Sequence, residues 1–478
     1  MRRIIYALVL VFALFVGVAA AWAVGPHPDF VASWSEAVDR GLIEGDASYY
    51  YSGEASDEEV HHALIVALLA VDERNQPSDT TTTVPATTTS STTTTEATTT
   101  TTTSSVPPTT TTTTIPSTTT TTVSPSGIPI PPGIGTIQSA VDQYPDGTTF
   151  LLAGLYHDSV VPADGDTFVC SGAVLDGNGR SHAFTGSADD VTIDGCEITD
   201  YSPPTQRGAI EGGGDRWTVV RSNVHNNATV GIRLVGDGGQ ILDSRIAYNH
   251  QLGIAAGPGA GIRIVGNEIA YNNWLSEFSW GHEAGGTKFW STVDMLVEDN
   301  WSHHNHGPGL WTDHDNLRTI YRENLVEDNE DAPGIFHEIS YEALIEGNTI
   351  RRNGFPAETP RPWKKGAGIH ISASENVTIR DNVLEGNVDG IAGDQQNRGT
   401  GDFGPYLIRN LLVEGNVVID SGYSGLVRDT GDNAIFDSRN NRWVDNDYVQ
   451  SDGFFWNNGI RSWSYWQGQG HDLTGSYL

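Results

Sequence analysis

Residues 296–353, LVEDNWSHHNHGPGLWTDHDNLRTIYRENLVEDNEDAPGIFHEISYEALIEGNTIRRN, repeat one short pattern three times. Each copy has an apolar residue, an Asn three positions later and a second Asn five positions after the first. The first Asn recurs at positions 300, 324 and 348, so the period is 24 residues. Short alternating segments between Asn- and Gly-rich turns, at such a period, predict a parallel β-solenoid. Equivalent residues of successive coils would then be stacked about 4.8 Å apart.

The pattern continues on both sides of this stretch. We place its first anchor at 223, 245, 267, 300, 324, 348, 382 and 416, with Arg245 in an Asn slot, and the successive differences are 22, 22, 33, 24, 24, 34 and 34. The three long intervals exceed the 24-residue period by 9 or 10 residues, and insertions in a solenoid fall on turns. We expect the inserted segments 274–282, 355–365 and 395–406 to rim one cleft.

The recurring Asn residues are predicted to be structural, because stacked amides bond to one another and to the turn backbone. This ladder is expected to contain Asn267, Asn300, Asn324, Asn348, Asn382 and Asn416. His303, His304 and His306 follow a ladder Asn in a turn, where polar residues are common, and a metal site that also uses His314 and Asp315 is the alternative. His337 is predicted to point into the core.

Four segments of the repeat domain carry a family resemblance: EAGGTKF (283–289), NHGPGLWTD (305–313), GIFHEISY (334–341) and WQGQGHDLTGS (466–476). With the repeat, they make residues 128–478 similar to the right-handed parallel β-helix superfamily that includes pectate lyases, and to a secreted bacterial group within it. The resemblance implies an all-β solenoid of about ten coils. A short amphipathic helix from Thr136 is expected to cap its N-terminal end. Catalytic motifs of polygalacturonases and pectate lyases are not recognisable, so the resemblance assigns no activity.

Four regions are predicted along the chain. Residues 1–24 match a secretory signal peptide, or an uncleaved N-terminal anchor, because two arginines precede an apolar run and an Ala-Trp-Ala site. Residues 25–78 carry signals for a small helical segment that weakly resembles one S-layer homology motif, which would allow cell-wall attachment. Residues 79–126 are Thr/Ser/Pro-rich and predict a disordered linker. Residues 127–478 form the β-helix domain, so we expect a secreted or cell-surface protein.

The net charge of the chain narrows the class of molecule that it could bind. A formal net charge of -34 opposes binding to nucleic acid or an anionic membrane, whose phosphates would be repelled. Clustered carboxylates leave calcium open as a cofactor.

Cys170 and Cys196 are too few for a disulfide framework, and we expect them to be packed without a bond, although their separation near one coil leaves a disulfide open. The chain is expected to be a monomer.

Two outward-facing columns of side chains are predicted on one strand of each coil. Counting from the Gly that opens this strand, the second and fourth residues face outward. The second positions are Arg233, Ala255, Lys288, Trp311, Phe336, His370, Ala392 and Val427. The fourth positions are Val235, Gly257, Trp290, Asp313, Glu338, Ser372, Asp394 and Asp429. Exposed aromatic rings beside carboxylates are typical of a carbohydrate-binding groove.

The expected catalytic residues are Lys288, Asp313, Glu338, His370 and Asp394, and the expected substrate-binding residues are Trp290, Trp311, Phe336 and Arg398. In a glycoside hydrolase, Asp313 and Glu338 would suit a retaining pair, whereas Glu338 and Asp394 are nearer an inverting separation. In a polysaccharide lyase, Asp313, Glu338 and Asp394 would hold calcium, and Lys288 or His370 would remove a proton.

Two classes of protein without enzymatic activity stay open. A carbohydrate-binding protein or adhesin would use the aromatic residues without the acids. A structural surface protein would use the columns only for packing. In the enzyme and in the adhesin, the expected partner is an extracellular polysaccharide.

Overall fold

The computed structural model describes residues 126–355 and 366–478, which wind into a right-handed parallel β-helix, as the sequence predicts. Each coil contributes one strand to a twelve-stranded sheet and its remaining strands to a 27-stranded sheet. Strand pairs in the twelve-stranded sheet are parallel except for the last pair, Gly453–Trp456 with Gly459–Arg461, which is antiparallel. Its eleven parallel strands agree with the expected ten or so coils.

The strands of the twelve-stranded sheet are Phe184–Gly186, Gly208–Gly212, Val230–Leu234, Leu252–Ala256, Gly285–Phe289, Leu310–Asp313, Ile335–Glu338, Ala367–Ser372, Asp389–Gln395, Tyr423–Arg428, Gly453–Trp456 and Gly459–Arg461. Those of the 27-stranded sheet are Ile128–Ile130, Gly133–Ile134, Thr149–His157, Thr167–Asp176, Thr192–Asp194, Glu197–Thr199, Thr218–Val220, Asn223–His225, Gln240–Leu242, Arg245–Ala247, Gly259–Ala260, Arg263–Val265, Glu268–Ala270, Thr292–Val293, Leu296–Glu298, Trp301–His303, Leu317–Arg322, Leu325–Glu327, Tyr341–Glu346, Thr349–Arg351, Glu375–Arg380, Val383–Glu385, Leu412–Glu414, Val417–Ile419, Arg442–Val444, Asp447–Val449 and Ser476–Tyr477. A separate hairpin pairs Thr400–Gly401 with Gly404–Pro405, and the helical elements are Thr136–Val141, Trp280–His282, Ala434–Asp437 and Trp463–Gly468.

Several predictions fall outside the described residues. The signal segment, the helical segment with its S-layer-like motif and all but the last residue of the linker lie in residues 1–125, and most of the second insertion lies in residues 356–365. These stay predictions. Within the part of the chain that the structure describes, every helix is too short or too polar to cross a lipid bilayer.

The predicted asparagine ladder is present and buried. In a typical rung, the amide of Asn324 donates to Oδ1 of Asn348 at 2.9 Å and to the carbonyl of Val297 at 3.0 Å. Equivalent amide bonds connect Asn267, Asn300, Asn324, Asn348, Asn382 and Asn416. The second Asn of the repeat forms a parallel ladder, in which Asn305 donates to Asn329 at 2.9 Å. The two ladders hold successive coils in register.

The placement of the first two anchors at 223 and 245 is wrong by one residue. Asn223 pairs with Arg245 and Arg245 pairs with Glu268, one position beyond the ladder. Ser222 and Ser244 take the ladder positions, and the backbone N–H of Ser244 donates to Oδ1 of Asn267 at 3.0 Å. A serine hydroxyl accepts the same backbone N–H as an asparagine carbonyl, which hides these rungs from a search for Asn.

Both ends of the solenoid are covered. The predicted N-terminal helix is Thr136–Val141, which buries Ile137, Ala140 and Val141. At the other end, Trp466 packs its ring 5.2 Å from that of Trp443 and donates its indole N–H to Asp472 at 2.8 Å. Asp472 also accepts the amide of Asn446 and so ends the asparagine ladder.

Cys170 and Cys196 form a disulfide, with their Cα atoms 5.0 Å apart. The expectation that they pack without a bond is therefore wrong. Their separation of 26 residues is close to one coil, and this spacing brings both cysteines to the same side of adjacent coils. The bond joins the strand Thr167–Asp176 to the next coil, near the N-terminal end of the solenoid.

Candidate functional site

The two predicted columns stand on the twelve-stranded sheet. Parallel pairing aligns Trp311 with Phe336 and Phe336 with His370 in the first column. In the second column it aligns Asp313 with Glu338, and Ser372 separates Glu338 from Asp394. The order of coils therefore follows the sequence prediction through the middle of the domain. The ladders on either side are the reason, since they fix where each strand begins.

The last members of both columns are misplaced in the sequence prediction. Ala392 pairs with Gly425, and Asp394 pairs with Val427, so Val427 and Asp429 do not stand where the prediction placed them. Gly425 looks like a strand-opening glycine, but it lies two residues inside the strand. It has a φ of 136°, and a Cβ there would lie 2.1 Å from the carbonyl oxygen of Phe455. A close backbone approach, and not the start of a strand, requires this glycine.

The aromatic residues of the first column are buried, so the expectation of exposed rings is wrong. Trp311 and Phe336 are 3% and 6% exposed. Their ring centroids are 5.7 Å apart, and the ring of Phe336 lies 4.6 Å from that of His370 with an angle of 6° between the planes. Rings that repeat once per coil cover one another, and little of each face is left for a ligand. Trp290 is half-buried, and the guanidinium of Arg233 lies 5.2 Å from its ring centre.

Lys288 is buried against acids and an aromatic face. Its Nζ lies 2.9 Å from Asp313 Oδ2, 3.2 Å from Glu283 Oε1 and 4.3 Å from the centre of the Trp311 ring. To act as a base it would first have to leave these ion pairs. The arrangement makes Lys288 a positioning residue for Asp313. Glu283, which directly follows the first insertion, was missed because its side chain stands outside both columns.

Asp313 and Glu338 form a carboxyl pair on adjacent strands, directly opposite each other in the register. Burial and the nearby charge of Asp313 raise the pKa of Glu338, against the lowering effects of Arg398 and His370. Arg398 donates directly to Glu338. Oδ1 of Asp313 is buried and has no hydrogen-bond partner among the described residues. Burial and the charge of Asp313 thus favour the protonated form of Glu338, and both acids are also ion-paired, Glu338 with Arg398 and Asp313 with Lys288.

His370 and Asp394 form a second pair. Nε2 of His370 lies 2.8 Å from Oδ1 of Asp394, whose other oxygen accepts the amide of Gln396 at 2.8 Å. The carboxylate orients the imidazole, and Phe336 covers one face of the ring. His370 is thereby fixed in the wall next to Glu338 and lowers the pKa of that acid.

The calcium ligands that the sequence suggested do not come together. In residues 126–355 and 366–478, no group of three His, Cys, Asp or Glu side chains is arranged to hold a metal ion. Asp313 is bound to Lys288, Glu338 to Arg398 and Asp394 to His370. The alternative metal site at His303, His304 and His306 is not formed either, because His303 and His304 pair with each other at 2.9 Å. His337 is in the core as predicted, and burial lowers its pKa to about 3.

The third insertion, residues 395–406, reaches across the site. Its hairpin is anchored by Tyr406, whose hydroxyl donates to Asp315 at 2.8 Å, and by Tyr341, whose hydroxyl donates to the carbonyl of Gly404 at 2.7 Å. These anchors carry Arg398 to Glu338, two coils away. The third insertion therefore does rim the cleft. On its other side is a polar cavity of about 300 Å³, lined in part by Gln396, Arg398 and Arg439.

Part of the sequence matches a protein-family model. A family model for the right handed beta helix region matches residues 207–400. No curated protein has significant sequence similarity to the chain.

Solved structures give the wider comparison. The A-module of a mannuronan C-5 epimerase from Azotobacter vinelandii has a TM-score of 0.50 at 14% identity, over 72% of this chain and 94% of that one. An α-1,3-glucanase catalytic unit from Streptomyces thermodiastaticus has a TM-score of 0.48 at 13% identity, over 68% and 62%. An alginate lyase in complex with a trisaccharide has a TM-score of 0.42 at 15% identity, over 73% and 93%. The chain carries a right-handed β-helix region, and its described domain has the right-handed parallel β-helix fold.

Proposed function

We propose that this protein is a polysaccharide-active enzyme of the glycoside hydrolase type, with Glu338 as general acid and Asp313 as the partner carboxylate. The observation that carries the proposal is a pair of carboxyl groups in direct register, one of which has a raised pKa. Burial and Asp313 raise the pKa of Glu338 although Arg398 pairs with it, and Asp313 is ion-paired to Lys288. A buried acid with a raised pKa beside a second carboxylate is the pattern of a general acid and its partner.

The register also supports a retaining mechanism. Strands of one sheet are about 4.8 Å apart, and retaining glycosidases hold their carboxyl groups about 5–5.5 Å apart. Glu338 would protonate the glycosidic oxygen while Asp313 attacks the anomeric carbon, which breaks the glycosidic bond and forms a glycosyl ester. Water would then attack the same carbon. Glu338 would take a proton from this water, and the bond between the anomeric carbon and Asp313 would break. The proton returns to Glu338, and one bond is hydrolysed.

Access to the acids is from the side of Arg398. Its side chain is 33% exposed, against 12% for Glu338 and 16% for Asp313, and its guanidinium is bound to Glu338. A substrate would have to displace this arginine or share its hydrogen bonds. Trp311 and Phe336 pack beside the acids in the first column, and neither presents a free ring face. The similar Azotobacter module is a mannuronan C-5 epimerase, so this fold occurs in a protein that acts on a polysaccharide.

A lyase is the second candidate, and one contact favours it. The hydrogen bond between His370 and Asp394 is the arrangement of an oriented base, and Arg398 could pair with a uronate carboxylate. The predicted signal segment would place either enzyme outside the cell, where polysaccharides are abundant, and export stays part of the proposal.

Turnover on a panel of neutral and uronic-acid polysaccharides separates these reactions. Reducing ends and the ultraviolet absorbance of unsaturated uronate are followed with added calcium and with chelator. We expect new reducing ends without unsaturation, unchanged by chelator. Unsaturated product would instead establish the lyase. Binding without turnover would leave a carbohydrate-binding protein or adhesin, and no binding at all would favour a structural surface protein.

Replacing Arg398 should move the pH profile in a known direction. Arg398 lowers the pKa of Glu338, so Arg398→Met should raise it further. The acid must be protonated to donate, and kcat/KM should therefore persist to higher pH in the variant. The alkaline limb is measured on the polysaccharide that the parent cleaves. Arg318→Met, which removes an exposed arginine bound to Asp294 on the other sheet, is the control. A limb that stays in place, or that moves to lower pH, would contradict the assigned role of Glu338.

A further inference from the structure

A second aromatic surface includes the strand Trp301–His303 of the 27-stranded sheet and the start of the first insertion, and none of its residues belongs to the two columns. Trp301 is 42% exposed and Trp274 is 40% exposed. Among the tryptophans of the described residues these are the only two in the exposed class. Trp301 stands on the strand Trp301–His303, and Trp274 begins the first insertion. Large aromatic side chains that are exposed together in a contiguous patch mark a binding site, whereas isolated ones do not.

Stacked rings connect the two tryptophans across three coils. The ring of Trp274 meets that of Tyr248 edge-on at 6.3 Å, and Tyr248 is stacked on Tyr271 at 4.9 Å with an angle of 4°. Tyr271 contacts His303 at 5.5 Å, and His303 is stacked against Trp301 at 3.9 Å. Coil-to-coil stacking therefore fixes the positions of both tryptophans in advance, which lowers the entropy cost of binding.

The indole of Trp301 and the carboxylates beside these rings are already paired, whereas Nε2 of the buried His303 has no hydrogen-bond partner among the described residues and lies 3.6 Å from Glu268. The indole N–H of Trp301 donates to Glu327 at 2.9 Å, so the side chain has its ring face to offer a ligand. Glu268 is bound by Arg245 at 3.1 Å, and His250 lies 3.2 Å from Glu277. Such a surface has balanced charges beside flat apolar rings. It suits an uncharged ligand with apolar faces and hydroxyl edges, which is the character of a pyranose chain.

We propose that Trp274 and Trp301 form a second, non-catalytic glycan-binding surface that holds sugar rings of a polymer. It rests on the proposed function only for the class of ligand. The acids that we assign to catalysis are on the twelve-stranded sheet, and both tryptophans are outside that sheet. The surface would keep the enzyme on a long chain while the cleft acts, and a short oligosaccharide would not need it.

Affinity electrophoresis in native gels tests this surface. The gels contain dextran, xylan, galactan, polygalacturonate or alginate, and all proteins carry Glu338→Gln so that the gel is not digested. We expect the protein with Glu338→Gln alone to be retarded by a neutral polysaccharide. Adding Trp274→Ala and Trp301→Ala should weaken that binding about tenfold, as the loss of aromatic anchors does at other binding surfaces. Tyr465→Ala, which removes an exposed aromatic ring on the C-terminal helix, should leave it unchanged.

The outcomes separate the two proposals. Retardation that depends on the tryptophans supports the surface even if the parent protein cleaves nothing. Hydrolysis by the parent without such retardation, or retardation that survives the double substitution, overturns the surface and leaves the cleft intact. Sedimentation velocity tests whether these rings bind a second copy of the chain instead. If the parent is a dimer and the double substitution makes it a monomer, the surface is a dimer interface, and the glycan assignment is overturned.

Discussion

Glu338→Gln is expected to reduce kcat/KM on the cleaved polysaccharide by about 10²–10⁴-fold, the usual contribution of a general acid. Glutamine keeps the size of the side chain and can still accept a bond from Arg398, but it has no acidic proton to give. Burial and the neighbouring charge of Asp313 raise the pKa of Glu338, which favours the protonated form that a general acid needs. Binding of the polysaccharide should be retained, because the rest of the cleft is unchanged.

The matched control for this substitution is Glu342→Gln. Glu342 is exposed, four residues further along the chain, and it should tolerate the same change with little effect on rate or melting temperature. If both variants melt at the temperature of the parent, a loss of rate in Glu338→Gln reflects the chemical step and not unfolding. A Glu338→Gln protein with more than a tenth of the parental kcat/KM would remove this residue from the reaction.

Asn324→Ala is expected to destabilise the domain by about 3 kcal/mol or more, since each buried polar group left without a partner costs about 1–3 kcal/mol. The substitution removes the donors to Val297 and Asn348 and the acceptor for Asn300. All of these groups are buried in the turn between coils. The urea midpoint and the melting temperature should both fall, and the transition should broaden if neighbouring coils open separately, as expected of a repeat protein.

Asn433→Ala is the control for the ladder. Asn433 is exposed, has an ordinary φ of -81° and makes no side-chain bond to the helix that it precedes. Its replacement should change stability by less than about 0.5 kcal/mol. Equal effects of the two substitutions would mean that a ladder asparagine contributes no more to the free energy of unfolding than an exposed asparagine does.

The repeat was the part of this protein most open to prediction. Period, strand direction and the amide ladder all follow from residues that recur with the coil, and so does the alignment of Asp313 with Glu338. The failures occur where a recurring role is filled by a different residue. Ser222 and Ser244 take ladder positions without an Asn, and Gly425 marks a close backbone contact instead of a strand start.

Exposure and long-range contacts could not be read from the repeat. The side chains of the first column do face away from the core, but stacking between coils covers Trp311 and Phe336, and the spacing of outward residues carries no information on this. The bond from Arg398 to Glu338 depends on the path of the third insertion, which Asp315 anchors by accepting two hydrogen bonds and Tyr341 by donating one. Such contacts between an irregular segment and a distant coil have no periodic signal.

Proton NMR of the first product formed from the polysaccharide that the protein cleaves shows whether Asp313 and Glu338 act as a retaining pair, because the anomeric signal appears before the sugar equilibrates. We expect a product with the same anomeric configuration as the bond that was broken. An inverted product would move the chemistry to carboxylates further apart, and an unsaturated product would replace hydrolysis by elimination. Either result would rule out Asp313 and Glu338 as a retaining pair.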